Sequence, residues 1–376
     1  MLRVEFVWPL ANLKASLRLR PSATKSNRSG GYTAVTMTTH TPSTPAAPLL
    51  ALPDDVLQRV LVGVPLDDHC TTALVCRTFR AVVTSPQFHA ARRRSGFAER
   101  GIVVVGSEDS SSSGMRIRIV NKSGVVASLS GPLHVDNFSS TTDGARLFFT
   151  TLRHGRGCGV VLVVDCCSRR WRQFTTLPRA DTEQRFHCVE WHNGCLYVAG
   201  GWVEGGHLDS LDVFNEATGS WANLPPMPHA AAMAASGIIG NQLFVAGGYQ
   251  LRTLQVYDIA TRTWTLRAQL PEDRAYGTLG VVLDGKLFLI HSRFRTLVYD
   301  PQSDTWTMET YHTPWNWGGS EREFHACVHE GQIVVFLMDG SAFKRAADGS
   351  WSSYRPRGHY QIRNEDTIVC ESVLLG

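Results

Sequence analysis

Leu196-Tyr197-Val198-Ala199-Gly200-Gly201, then Leu211-Asp212-Val213-Phe214-Asn215, then Trp221: this three-part phrase decides the architecture, because it returns as Leu243 to Gly248 (LFVAGG), Leu254 to Asp258 (LQVYD) and Trp264. Downstream a degenerate copy runs Leu287 to Ser292 (LFLIHS), Thr296 to Asp300 (TLVYD) and Trp306, and upstream Val161 to Asp165 (VLVVD) leads to Trp171. With Trp351 the series has five tryptophans, separated by 50, 43, 42 and 45 residues, and Asp165, Asn215, Asp258 and Asp300 each stand six residues before the first four. Turn signals such as Asn193-Gly194 and Asp284-Gly285 precede the strands. Each unit of roughly 45 residues therefore reads as four short strands.

A four-stranded sheet with apolar residues on both faces must stack between two like neighbours, and closing the array into a ring leaves only short edges. This predicts a β-propeller. The Gly-Gly pair permits backbone conformations and close approaches that a Cβ would block, and the tryptophan fills space between blades, so both are structural. The first unit, Ile102 to Gly106, Met115 to Val120 and Val125 to Ser130, lacks a strand. The last segment, Asp366 to Gly376, has the form of the missing piece, so it is expected to pair beside Ile102 to Gly106 and close a six-bladed ring, with five or seven blades as the alternatives.

Ahead of the repeats, residues 50–96 have helical periodicity. Pro53 suits a first helical turn, and Leu57, Val60, Leu61 and Val64 recur at i, i+3, i+4 and i+7. Asp67 or Asp68 can cap a second helix whose stripe runs Ala73, Leu74, Cys76, Thr78, Phe79, Val82 and Val83, and Ser85-Pro86 opens a third through Phe88 and Ala91. A module this small buries little by itself, so its stripe either meets a partner or packs on the next domain. Residues 1–49, rich in Ser, Thr, Pro and basic side chains, are expected to be disordered. An organelle transit peptide is the rival reading, and initiation at Met37 would remove most of it.

Net charge is +4, but residues 1–48 carry +5, which leaves the rest near −1. A nearly neutral body does not suit binding to nucleic acid through phosphates, and no apolar stretch approaches the ~18 residues of a membrane span. The nine cysteines (Cys70, Cys76, Cys158, Cys166, Cys167, Cys188, Cys195, Cys327, Cys370) include no C-x-x-C pair and lie mostly in apolar runs, which points to buried free thiols in a reducing cytosol or nucleus.

Two resemblances meet in this chain. Leu52-Pro53-Asp54-Asp55-Val56-Leu57 with Leu74-Val75-Cys76-Arg77-Thr78-Phe79-Arg80 resembles an F-box, with Phe79 where tryptophan is usual, and the repeats over 101–376 resemble Kelch motifs. Their order is similar to that of the plant F-box/Kelch-repeat proteins. The resemblance implies a mainly β protein with a small three-helix module, in which positions matching Leu52, Pro53, Val56, Leu57, Val60, Leu74 and Val75 dock on a Skp-type adaptor and through it a cullin ubiquitin ligase. The propeller would hold the protein to be ubiquitinated. A free-standing Kelch scaffold or small-molecule sensor is the alternative.

No catalytic residue and no cofactor is expected, because a ligase receptor works by raising effective concentration across two interfaces. Gly155-x-Gly157-x-Gly159 opens no helix and so is no phosphate loop, and His154, Cys158, Cys166, Cys167 and His187 have no zinc spacing. By the resemblance, the ligand face is built from the loop after Gly-Gly and the loop between blades. Those loops hold Arg153, Arg156, Arg252, Arg293 and Arg295 in the first class and Arg185, Arg274 and Arg322 in the second, a positive mouth suited to an acidic or phosphorylated protein. The competing reading is that these arginines are solvated or pair with Glu183, Glu204, Glu272 or Glu321. Trp202, Trp315 and Trp317 lie outside the repeat positions and are candidate anchors or packing groups.

Overall fold

The computed structural model describes residues 53–65, 68–107, 115–121, 124–131, 139–152, 159–179, 183–271, 278–291, 295–313, 324–337, 341–354 and 369–375. Leu52, the basic extension and its alternative readings, Trp315 and Trp317 lie outside them.

The helical module comprises α1 (Asp54–Leu61), α2 (His69–Val75), α3 (Arg77–Val83) and α4 (Pro86–Arg94). The sequence predicts one second helix through Ala73 and Val83, and the structure divides it. Cys76 is extended (φ −162°, ψ 171°) and its thiol accepts the Phe79 N–H at 3.3 Å, so it ends α2 and caps α3. At the next junction Ser85 accepts the Phe88 N–H at 3.2 Å and Pro86 occupies the first turn. Leu57, Leu61, Phe79, Val82, Val83 and Phe88 form the module's core. Val60, placed on the apolar stripe by its spacing, instead points outward, because residues 57 and 61 already fill the side of α1 that faces α3.

The strands follow in chain order, four to a sheet. The first sheet opens with β1 (Glu99–Ser107), β2 (Met115–Asn121) and β3 (Gly124–Gly131). The second is β4 (Ser139–Thr142), β5 (Arg146–Leu152), β6 (Gly159–Asp165) and β7 (Arg170–Thr176). The third comprises β8 (Cys188–His192), β9 (Cys195–Ala199), β12 (Leu211–Asn215) and β13 (Ser220–Leu224), with a two-stranded hairpin, β10 (Trp202–Val203) and β11 (Gly206–His207), between its middle strands. The fourth is β14 (Ala235–Ile239), β15 (Gln242–Ala246), β16 (Leu254–Asp258) and β17 (Thr263–Arg267), and the fifth is β18 (Leu279–Leu283), β19 (Lys286–Ile290), β20 (Arg295–Asp300) and β21 (Thr305–His312). The sixth is β22 (Phe324–His329), β23 (Gln332–Leu337), β24 (Ala342–Arg345) and β25 (Trp351–Ser353). The last strand, β26 (Val369–Leu375), completes the first sheet, running antiparallel to β1 from Glu99↔Leu375 to Val105↔Val369. The chain is thus a six-bladed propeller closed by its C-terminal strand, as the sequence predicts.

The core is divided into wedges, one for each of the six junctions between neighbouring blades. Ile117 and Phe149 share one wedge, as do Phe148 and Phe214, Tyr197 and Tyr257, Phe244 and Tyr299, Phe288 and Val335, and Phe336 and Val104. Each fully buried side chain of this kind contributes about 1.5–3 kcal/mol.

The repeat residues stitch these wedges. The indole N–H groups of Trp171, Trp221, Trp264 and Trp306 donate to the carbonyls of Ser130, Thr176, Pro225 and Ala268, at 2.8–3.0 Å, and each acceptor lies at the end of the preceding blade. Asp165, Asn215, Asp258 and Asp300 accept backbone N–H groups of the following turn at 2.8–3.1 Å, which fixes the hairpin into the tryptophan strand. At the glycine pair, Gly200 (φ 62°) and Gly201 (φ 110°) are left-handed, and a Cβ on Gly200 would lie 2.2 Å from the Ala231 carbonyl oxygen.

A second device joins blades to loops and was not read from the sequence. The second residue of LDVFN and of LQVYD is polar within an apolar strand. Asp212, fully buried, accepts from Arg179 Nη1 and from Asn223 Nδ2, both at 2.5 Å, while Gln255 bonds both the N–H and the carbonyl of His229. Each holds the loop that enters its blade's neighbourhood. Arg179→Met strips the buried carboxylate of its cation and should lower stability by about 3 kcal/mol, with Asp212→Asn in the same chain restoring part of the loss. Thermal unfolding of the two variants is the check.

Candidate interaction surfaces

On the helical module the residues matching the F-box pattern divide into inside and outside. Leu57 is completely buried in the module's core, so its role as the structure stands is packing. Val56 is half-buried and Pro53 exposed. Val60, Leu74 and Val75 are exposed by 54%, 75% and 48%. Phe79, in the place of the usual tryptophan, faces inward among Leu57, Val82 and Phe88. Arg92, almost wholly buried, ties the end of α1 to the start of the propeller: Nη1 donates to the carbonyls of Val62 (2.7 Å) and Val64, and Nη2 to that of Phe97 (2.7 Å). Burial, reinforced by that guanidinium, pushes the pKa of His69 down to about 4, so it is neutral at ordinary pH.

On the propeller, Arg153, Arg156, Arg274, Arg293 and Arg322 lie outside the described residues, and Arg295 is placed in β20. The two remaining arginines of the expected mouth are both engaged. Arg185 Nη2 donates to the Glu183 carboxylate, which is the competing reading for that residue, and Arg252 Nε donates to the Leu270 carbonyl at 2.9 Å. The structure does not bring these two into an open cationic pair.

It does show a hydrogen-bonded loop platform over blades 3 and 4. Trp202 and Arg185 exchange backbone hydrogen bonds (2.7 and 2.9 Å), Gly201 N–H donates to Ala231, Met227 N–H to Asp209, Met233 N–H to Phe186, and Tyr249 N–H to Ala232, at 2.7–3.0 Å. Phe186, Met233 and Gln250 have positive φ (58–59°), unusual for residues with a Cβ, and all lie in these loops. Trp202 and Tyr249 stand exposed on the platform.

Nearer the axis, Glu190 on β8 is half-buried beside β14, where Ser236 Oγ donates to its Oε1 at 2.7 Å. Burial raises the carboxyl from 4.5 to about 7, and the Ser236 hydrogen bond only partly offsets this. A carboxyl with a raised folded pKa favours folding most when protonated, so its contribution is full below pH 4.5 and is lost as pH rises through about 7. The loss is on the order of 2–3 kcal/mol. Glu190→Gln should remove that fall and be more stable than the natural chain at pH 8, as denaturant titrations at pH 5 and 8 would show.

Comparison with known proteins follows the same division. Residues 49–90 match the F-box domain model and residues 185–228 the Kelch motif model. A putative F-box/kelch-repeat protein of Arabidopsis thaliana is 24% identical over 292 residues, covering 72% of this chain and 81% of that one. Another F-box/kelch-repeat protein of that plant is 26% identical over 302 residues, covering 76% and 78%. Kelch-like protein 23 of Pongo abelii is similar over a shorter part, 24% identical across 129 residues, 32% of this chain and 23% of that one.

Proposed function

We propose, from the premise that this chain joins an F-box to a six-bladed Kelch propeller, that it is the substrate-recognition subunit of a Skp-cullin-F-box ubiquitin ligase. The observation that carries the reading is the outward exposure of Val60, Leu74 and Val75 on a module whose core is already filled by Leu57, Leu61, Phe79, Val82, Val83 and Phe88. Apolar side chains that the described residues leave about half exposed or more suit docking on another protein, here a Skp-type adaptor and through it a cullin. Phe79 is compatible with the reading: it is a core residue, so the departure from tryptophan lies away from the outward face.

The propeller is the second arm and binds the protein to be ubiquitinated. Holding both partners raises the concentration of a substrate lysine beside the charged conjugating enzyme, which asks for two interfaces and no nucleophile in this chain, so it is a non-catalytic receptor. Its free thiols, Cys166, Cys188 and Cys327 among them buried, suit the reducing cytosol or nucleus. Reconstitution with purified adaptor, cullin and RING subunit tests the role. The chain should acquire ubiquitin on its own lysines only when the adaptor is present, and modification that is absent, or indifferent to the adaptor, would favour a free-standing scaffold or sensor.

A further inference from the structure

Trp202 and His207 lie directly opposite each other in the β10–β11 hairpin, so their side chains share one face. The His207 ring meets Tyr249, from the corresponding loop of the next blade, edge to face with centroids 5.6 Å apart. Three rings therefore form a strip across blades 3 and 4, and Trp202 and Tyr249 are 36% and 45% exposed. Trp171, Trp221, Trp264 and Trp306 donate their indole N–H groups to the neighbouring blade, whereas Trp202, outside the repeat positions, is held at the surface by the backbone exchange with Arg185.

The charge of the hairpin itself has one sign. From Trp202 to Asp209 the hairpin carries Glu204 and Asp209 and no Lys or Arg, and residues 225–234 and 247–251, which build the surrounding platform, contain no Asp, Glu, Lys or Arg. Both carboxylates are exposed. Two cations flank the hairpin and both are engaged: Arg185, bridged to Trp202, is bound to Glu183, and Arg252, next after Leu251, donates to the Leu270 carbonyl at 2.9 Å. Aromatic faces carry negative charge density, with indole the strongest, and attract guanidinium and ammonium groups; flanking carboxylates add to that field. Loops fixed to one another by backbone hydrogen bonds present these groups with little ordering cost.

We propose that the Trp202–His207–Tyr249 strip, with Glu204 and Asp209, is a docking site for a substrate segment that places an arginine or lysine side chain over the Trp202 face. The proposal rests on the receptor reading and names the chemistry of its substrate: a basic segment in this quarter of the ligand face, in place of the acidic or phosphorylated one that a rim of arginines would select.

The full chain, bound to its adaptor, is panned against a random twelve-residue peptide library and, separately, against the same library with fixed phosphoserine. The expected result is enrichment of peptides carrying Arg or Lys in the unphosphorylated library. A selected peptide, resynthesised and labelled, should bind about tenfold or more weakly to Trp202→Ala and to Glu204→Gln/Asp209→Asn chains, and progressively more weakly as salt rises. Selection of Asp- or Glu-rich or phosphoserine peptides, no enrichment of basic ones, or affinity indifferent to these changes would overturn the proposal. Adaptor co-purification with the same variants separates the two readings: retained adaptor with lost peptide binding supports the site, and a chain that never holds the adaptor fails the receptor role alone. Trp202→Phe, which keeps a ring, should retain more binding than Trp202→Ala and guards against a misfolded variant.

Discussion

Removing the last strand should abolish cooperative folding of the propeller. Seven residues of β26 pair with β1, and Val373 is buried among Val103, Val105, Ile117, Leu147 and Phe149, in a wedge shared by the first two blades. Without the strand, the inner edge of β1 loses its ladder and the ring is left open between the last blade and the first. The stability of a typical domain is about 5–15 kcal/mol, and losing a seven-residue ladder with its buried side chains consumes most or all of that. A chain ending at residue 365 should therefore unfold without a single sharp transition, or be recovered only as aggregate. The single change Val373→Asp, which places a carboxylate in the same wedge without removing the ladder, should cost several kcal/mol and lower the melting temperature by about 10 °C. Normal melting of the truncated chain would mean that the ring is closed by other means.

The second large effect is expected at the helical module. Leu74→Asp with Val75→Asp puts two charges on positions that are already exposed, so the fold should survive, while an apolar docking surface should be destroyed. Leu57→Asp would be a poor test of the same interface, since Leu57 lies in the core and the change would unfold the module.

The contrast between Leu57 and Leu74 also shows what could be read in advance. The propeller was legible because its determinants are local and repeated: Trp221 and Trp264 recur at the spacing of one blade, and a first unit short of one strand implies a distant strand to complete it. The division of the second helix was not legible, because it turns on Cys76 accepting a backbone N–H, a role that its residue type seldom signals. Helical spacing grouped Val60 with Leu57 and Leu61, but which side of a short helix faces inward is set by α3 and α4 packing against it. Most of the candidate ligand face, Arg153, Arg156, Arg274, Arg293 and Arg322, lies outside the described residues. Loop position selects Arg185 and Arg252 but is silent on what their guanidiniums touch, here the Glu183 carboxylate and the Leu270 carbonyl. Conversely, Asp212 and Gln255 carried a visible signal, a polar residue inside an apolar strand, whose meaning emerges only when Arg179 and His229 are seen beside them. Glu190 looks like any strand acid until β14 closes over it.

The outward apolar face of the helical module is the surface proposed to bind the adaptor. Its most direct test is a calorimetric titration of purified Skp-type adaptor into the natural full chain and into the Leu74→Asp/Val75→Asp chain, with circular dichroism confirming that both are folded. Saturable binding by the natural chain is expected, weakened by about a hundredfold or more in the variant. Equal binding by two folded chains, or none by the natural one, would contradict it.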